Sequence, residues 1–265
     1  MRRLTLLFAM CGGILHGGTV LVLPFFNHTQ SANLDWIGES IAESVGDSLA
    51  SQGLLTLERA DRLEAYRRQS LRPGAELTHA SILKIGQALD ASSVVYGYYD
   101  LTPNPANPQS KGTLRLTAQI LDLKHTHLEP EYGESGALED LAAIEVRLGW
   151  QTLKQLAPAT SLTEEAFLKD RPPVRIDAVE NYIRGLLTSN PEQRAKFFSA
   201  AARLAAHYSP PAFQLARIYW EKKDYHDAST WFERVARSDP RYLEAQFYLG
   251  LSHFYSGDYA AAERS

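Results

Sequence analysis

The chain has 265 residues, 45% of them hydrophobic and 22% charged, with a net charge of −4. That length suits roughly two domains, and the composition excludes a mainly disordered chain. The slight acidity argues against a dedicated nucleic-acid binder, and the single cysteine, Cys11, excludes an intrachain disulfide and a cysteine-ligated zinc or iron–sulfur centre.

The chain opens Met1-Arg2-Arg3 and runs on through Leu4-Thr5-Leu6-Leu7-Phe8-Ala9-Met10-Cys11. Two arginines ahead of a short apolar run match a secretory signal. The run is too short to cross a bilayer, which takes about 20 residues. Residues 1–18 are therefore read as an export segment. Two processing routes stay open: lipidation of Cys11, for which Met10 is a poor preceding residue, or cleavage near His16-Gly17-Gly18. Membrane association is expected only through a lipid on Cys11. The alternative is a cytoplasmic chain whose first residues extend the first strand.

Residues 19–157 read as an α/β unit. Thr19 to Phe26 is a continuous apolar run, the pattern of a strand buried on both faces. Ile37, Ile41, Val45 and Leu49 recur every four residues, a helical stripe that Gly53 ends. Leu54–Leu57 reads as a short strand, Arg62–Gln69 as a helix broken by Pro73-Gly74. Thr78 caps a helix carrying Ile82, Ile85 and Leu89. Ser93–Tyr99 is a third strand, and the proline-rich stretch from Pro103 to Gly112 a loop. Leu114, Leu116, Ala118 and Ile120 alternate with polar residues, a half-buried strand, with residues 126–132 as its antiparallel partner. Leu138 to Leu156 mark a closing helix. The order predicts a mixed sheet with flanking helices.

Three segments of this unit carry a resemblance: Val22-Leu23-Pro24-Phe25-Phe26-Asn27, the helix Ile37-Gly38-Glu39-Ser40-Ile41-Ala42-Glu43, and Ala91-Ser92-Ser93-Val94-Val95-Tyr96-Gly97. In order and spacing they resemble the TolB amino-terminal superfamily, with its related FlgO-type and CsgG-like domains, although Ala91-Ser92-Ser93 replaces the usual glycine. The resemblance implies an extracytoplasmic protein-binding module with no catalytic residues to carry over.

Residues 158–173, with Pro158, Pro172 and Pro173, read as a linker. From 174 to 265 the chain repeats itself. Leu215-Ala216 matches Leu249-Gly250, Asp224-Tyr225 matches Asp258-Tyr259, and Ala228 matches Ala262. Each offset is about 34 residues, the period of tetratricopeptide repeats. Leu215, Ala216, Tyr219, Ala228, Phe232 and Pro240 fill that repeat's signature slots in order. The expectation is an all-α tetratricopeptide solenoid of one degenerate unit, one full repeat and one truncated repeat. The second helix of the full repeat should run through Phe232 toward Pro240. Because the next copy stops before its proline, the chain reads as part of a longer array. Such repeats imply a groove lined by the first helix of each unit: Phe213, Arg217, Trp220 and Glu221, then Phe247, Leu251 and Phe254, an aromatic strip suited to a peptide or partner helix.

Other chemistry is weakly signalled. Gly38-Glu39-Ser40-Ile41-Ala42 is a loose nucleophile-elbow pattern set inside a helix rather than on a sharp turn. His125-Thr126-His127 offers two imidazoles with no third metal ligand. Tyr96, Tyr98 and Tyr99 suit a strand better than a stacking platform. No catalytic, metal or cofactor site is expected. The chain reads as a non-enzymatic interaction scaffold of the bacterial cell envelope, periplasmic or at the outer membrane, with a protein or peptide partner and no nucleic acid. The alternatives are a cytoplasmic regulatory repeat protein and an envelope hydrolase with an unrecognised site.

Overall fold

The computed structural model describes residues 18–29, 31–103, 110–169 and 171–264. Residues 1–17 of the expected export segment, Cys11 among them, lie outside these, as does the middle of the Pro103–Gly112 loop. The first apolar run forms two short strands, β1 (Val20–Val22) and β2 (Phe26–Asn27). Both run parallel to a later strand and lie along the same edge of it. Pro24 sits between them and has no N–H to donate to a ladder, so the single expected strand is interrupted there.

Helix α1 (Trp36–Ala50) follows. Its stripe of Ile37, Ile41, Val45 and Leu49 is completely buried, and Gly53 has the left-handed φ of +81° that a helix C-terminus favours. Gly38 lets α1 abut the strand backbone: a Cβ there would stand 2.1 Å from the Phe25 carbonyl oxygen. The expected strand at Leu54–Leu57 reduces to one parallel bridge, Val20 to Thr56. A capping box of Glu58 and Asp61 starts α2 (Arg59–Arg68) at once and turns the chain away. Helix α3 (His79–Ala88) begins at Thr78, whose hydroxyl accepts from the Ser81 N–H at 3.2 Å.

Strand β3 (Ser93–Thr102) pairs antiparallel with β4 (Thr113–Asp122) along its whole length. The expected partner at 126–132 is corrected by the structure. Only β5 (His127–Leu128) pairs within that span, and the long return strand is β6 (Tyr132–Ala137). Leu121 pairs with Leu128 but Ala118 with Tyr132, so one extra residue is accommodated between them. Pro130 stands at that offset, where a bulge spares the missing donor. Helix α4 (Leu141–Leu156) closes the unit.

The mixed sheet is covered on both faces. Val20 and Val22 point into one cluster with α1 and α4, while Leu21 and Leu23 point into the other with α2 and α3. This period-two alternation, apolar on both sides, is why the first run is hydrophobic throughout.

The stretch 158–173 contains a short helix, α5 (Glu164–Lys169). Its Phe167 is 1% exposed, packs on Trp150 at 5.4 Å between ring centres, and lies under the Arg171 guanidinium at 3.8 Å. Six helices follow: α6 (Ile176–Leu187), α7 (Pro191–Leu204), α8 (Pro210–Glu221), α9 (Tyr225–Phe232), α10 (Tyr242–Tyr255) and α11 (Tyr259–Arg264), each packed on its neighbour in sequence. Helix α9 stops at Phe232, short of the expected run toward Pro240. The core of the sheet continues through α1 and α4 into Val179, Tyr182, Ile183 and Phe198 of α6 and α7. A separate cluster, centred on Phe213, Ala216, Phe232 and Leu249, holds α8 to α10 together. Ala216 and Ala228 are fully buried among these helices, while Gly250 is half-buried.

Candidate functional site

A cleft of about 600 Å³ opens where α1 and α2 of the α/β unit face α8 and α10. Its floor is an ordered set of charges. Glu43 and Asp47 of α1 line the cleft, and Glu39 continues their four-residue spacing just outside it, next to the apolar stripe. Arg62 of α2 is 3% exposed and donates both to Glu39 and, at 2.8 Å, to the Val22 carbonyl of β1. It also lies 3.5 Å from Glu43, and Arg59 holds Glu39 at 2.8 Å. Burial raises the Glu43 pKa, with Arg62 pulling the other way.

At the far end Arg241 bridges the two halves of the chain. It donates to Asp47 of α1 at 2.7 Å, to Asp239 at 2.9 Å and to the Tyr182 hydroxyl at 3.3 Å. Asp239 also accepts from Ser209 at 2.6 Å. Burial opposes its charge, but Arg241 and Ser209 more than compensate and hold its carboxyl below the ordinary value. The corner between α9 and α10 is thus tied to α1 by charge-assisted hydrogen bonds.

The residues expected to form the groove divide into two sets. Phe213, Arg217 and Glu221 reach this cleft, although Phe213 is largely core, edge-on to Phe232 at 6.1 Å. Arg217 pairs with Glu244 of α10 at 2.8 Å and lies over the Tyr248 ring. Trp220 turns inward, edge-on to Tyr225, Tyr248 and Tyr255. On α10, Leu251 is half-buried, while Phe247 and Phe254 are 62% and 53% exposed. Arg194 and Arg217 each line the cleft with a buried Nε that has no hydrogen-bond partner among the described residues. These two Nε donors can hold acceptors such as peptide carbonyls in the cleft.

Sequence reasoning missed the contribution of the α/β unit to this cleft. The acidic period of four on α1 was readable beside the isoleucine stripe. Nothing in the sequence placed Arg241 against Asp47, 194 residues away. The remaining candidates lie apart. Ser40 is buried inside α1. His125 and His127 are exposed, paired with Asp122 at 2.6 Å and Glu129 at 4.0 Å respectively. Tyr99 is fully buried and donates to the Leu34 carbonyl at 2.8 Å. Tyr96 bonds Gln119, and Tyr98 stacks on His28.

No protein-family model matches the chain, and no curated protein matches it. Among solved structures it is similar to the LpoB C-terminal domain from Salmonella enterica, at 17% identity and a TM-score of 0.36, over 46% of this chain and 83% of that one. It is also similar to lipoprotein GNA1162 from Neisseria meningitidis, at 18% identity and a TM-score of 0.37, over 55% of this chain and 99% of that one. A PelC dodecamer from Paraburkholderia phytofirmans shows 16% identity and a TM-score of 0.34, over 53% and 87%. These likenesses are remote. What the chain itself presents is a mixed α/β unit whose core runs into a helical array, with a charged cleft between them.

Proposed function

We propose that this chain is a non-enzymatic protein-interaction scaffold of the bacterial cell envelope. The observation that carries the reading is a run of exposed large aromatics on α10 and α11. Phe247, Phe254, Tyr255 and Tyr259 are all more than half exposed, and Phe254 touches both Tyr255 and Tyr259. Contiguous exposed aromatics of this kind mark protein-binding surfaces. Helices α8 to α11 act as tetratricopeptide repeats, supported by the 34-residue recurrence in the sequence. The cleft beside them, with its arginine donors, accepts acidic or carbonyl groups of the same partner segment, while the α/β unit docks another envelope component. The Met1-Arg2-Arg3 segment supports export.

The test is affinity capture from an envelope fraction with the full chain, run against an F247D/F254D variant and against Arg217→Glu. One partner should be enriched by the unaltered chain and lost with the variants, whose circular dichroism stays unchanged. A capture profile identical across all three proteins would refute the reading.

A further inference from the structure

A second cavity, of about 170 Å³, lies at the junction of α1, α4, α6, the 171–174 segment and the corners before α8 and α10. Glu145 of α4 forms part of its wall and is 2% exposed. Every other carboxylate at this junction has an arginine: Glu43 has Arg62, and Asp47 and Asp239 share Arg241. No arginine acts on Glu145, and its Oε1 has no hydrogen-bond partner among the described residues. Only the Ser40 and Ser44 hydroxyls of α1 act on it favourably.

The cations nearby are committed elsewhere. Arg171 donates to the Phe167 carbonyl at 2.6 Å and to Ser51. His207 lies 3.3 Å from the Pro173 carbonyl oxygen. The other titratable groups on the wall are Glu43, Asp47, Asp239, Tyr182 and Tyr208, none of which brings a positive charge. Apolar surface completes the lining, from Val146, Val179 and Ile183. A cavity of about 150 Å³ accepts a molecule the size of benzene, so roughly six non-hydrogen atoms fit. Anions are disfavoured by the surrounding carboxylates. Among the described residues no group of three histidine, cysteine or acidic side chains is placed to hold a metal ion.

We propose that this cavity binds a primary alkylammonium group, its head on Glu145 and its alkyl stem along the valines. An ammonium has three N–H donors, matching one carboxylate and the two serine hydroxyls. Burial pushes the free Glu145 carboxyl up to about 8, so at pH 7 it is mostly protonated. Binding therefore converts the neutral acid and the free ammonium into an ion pair and releases one proton to solvent.

The experiment is calorimetric titration of the full chain with n-butylammonium at pH 7, in two buffers of different ionisation enthalpy. Saturable binding with net release of protons is expected, together with affinity at least tenfold weaker for Glu145→Gln. The neutral isostere n-butanol should not bind the unaltered chain, a comparison that does not depend on how the variant folds. Titration with N-acetyl-lysine amide separates the sources: Glu145-dependent binding identifies a lysine side chain as an acceptable ligand, and its absence restricts the site to free amines. No saturable heat with n-butylammonium, equal binding of n-butanol, or undiminished binding by a folded Glu145→Gln would overturn the proposal.

Discussion

Replacing Arg62 with methionine keeps an apolar stem and removes the guanidinium that joins three elements. The Val22 carbonyl of β1 loses its 2.8 Å donor, Glu43 loses the arginine 3.5 Å away, and Glu39 keeps only Arg59. Breaking a buried ion pair by removing one partner costs about 3–5 kcal/mol. Arg59 remains on Glu39, so the lower end applies, and the orphaned carbonyl adds about 1 kcal/mol. The sum, about 4 kcal/mol, is a large part of a typical stability of about 5–15 kcal/mol. With a urea slope of about 2 kcal/mol/M, the unfolding midpoint should fall by about 2 M. The defect also depends on pH. Glu43 already has its pKa raised by burial in the folded state, and losing Arg62 raises it further. A raised carboxyl stabilises the fold below its unfolded value and costs stability as pH rises through the folded one. The variant should therefore be less impaired at pH 5 than at pH 8. Replacing Glu39, Glu43 and Arg62 together by methionine should recover most of the loss, since a packed apolar set can substitute for a buried ionic one. A midpoint within about 0.5 M of the parent at pH 8, less than about 1 kcal/mol, would show that the charge ladder does not hold α1, α2 and β1 together.

Two further variants probe the fold. Phe167→Ala empties a site that is 1% exposed and should cost about 3–5 kcal/mol, read as a lower Tm and faster proteolysis within residues 158–173. A loss under about 1 kcal/mol would mean that the segment is not anchored by this ring. Glu145→Gln should stabilise the protein at pH 7 by about 3 kcal/mol, from the gap between the ordinary 4.5 and pH 7 at about 1.36 kcal/mol per unit. The native state keeps a proton that the unfolded chain releases between 4.5 and about 8, so the parent loses stability as pH rises through that window and the variant does not. Urea midpoints that fall in parallel for the two proteins would refute this.

Local pattern made most of the α/β unit legible. The four-residue spacing from Ile37 to Leu49 defines α1, the alternation from Leu114 to Ile120 defines β4, and Thr78 marks the start of α3. These signals survive because each depends on neighbours in sequence. The failures share a cause. Leu54–Leu57 has the residues of a strand, but the capping box at Glu58 competes for the chain. The return strand moved from 126–132 to Tyr132–Ala137 because a two-residue pairing and an offset at Pro130 precede it, and neither leaves a period to read.

The candidate site was legible only on its helical side. By itself the sequence determined the amphipathic faces, the 34-residue recurrence and the identity of the exposed aromatics on α10. The tertiary structure alone decided that Phe213 and Trp220 turn inward and that Arg241 reaches back to Asp47. It alone left Glu145 buried beside serines without a cation. Periodicity reports which face of an element is apolar, because that follows from 3.6 or two residues per turn. Which charge meets which depends on how two elements far apart in sequence are packed, and no local spacing records that.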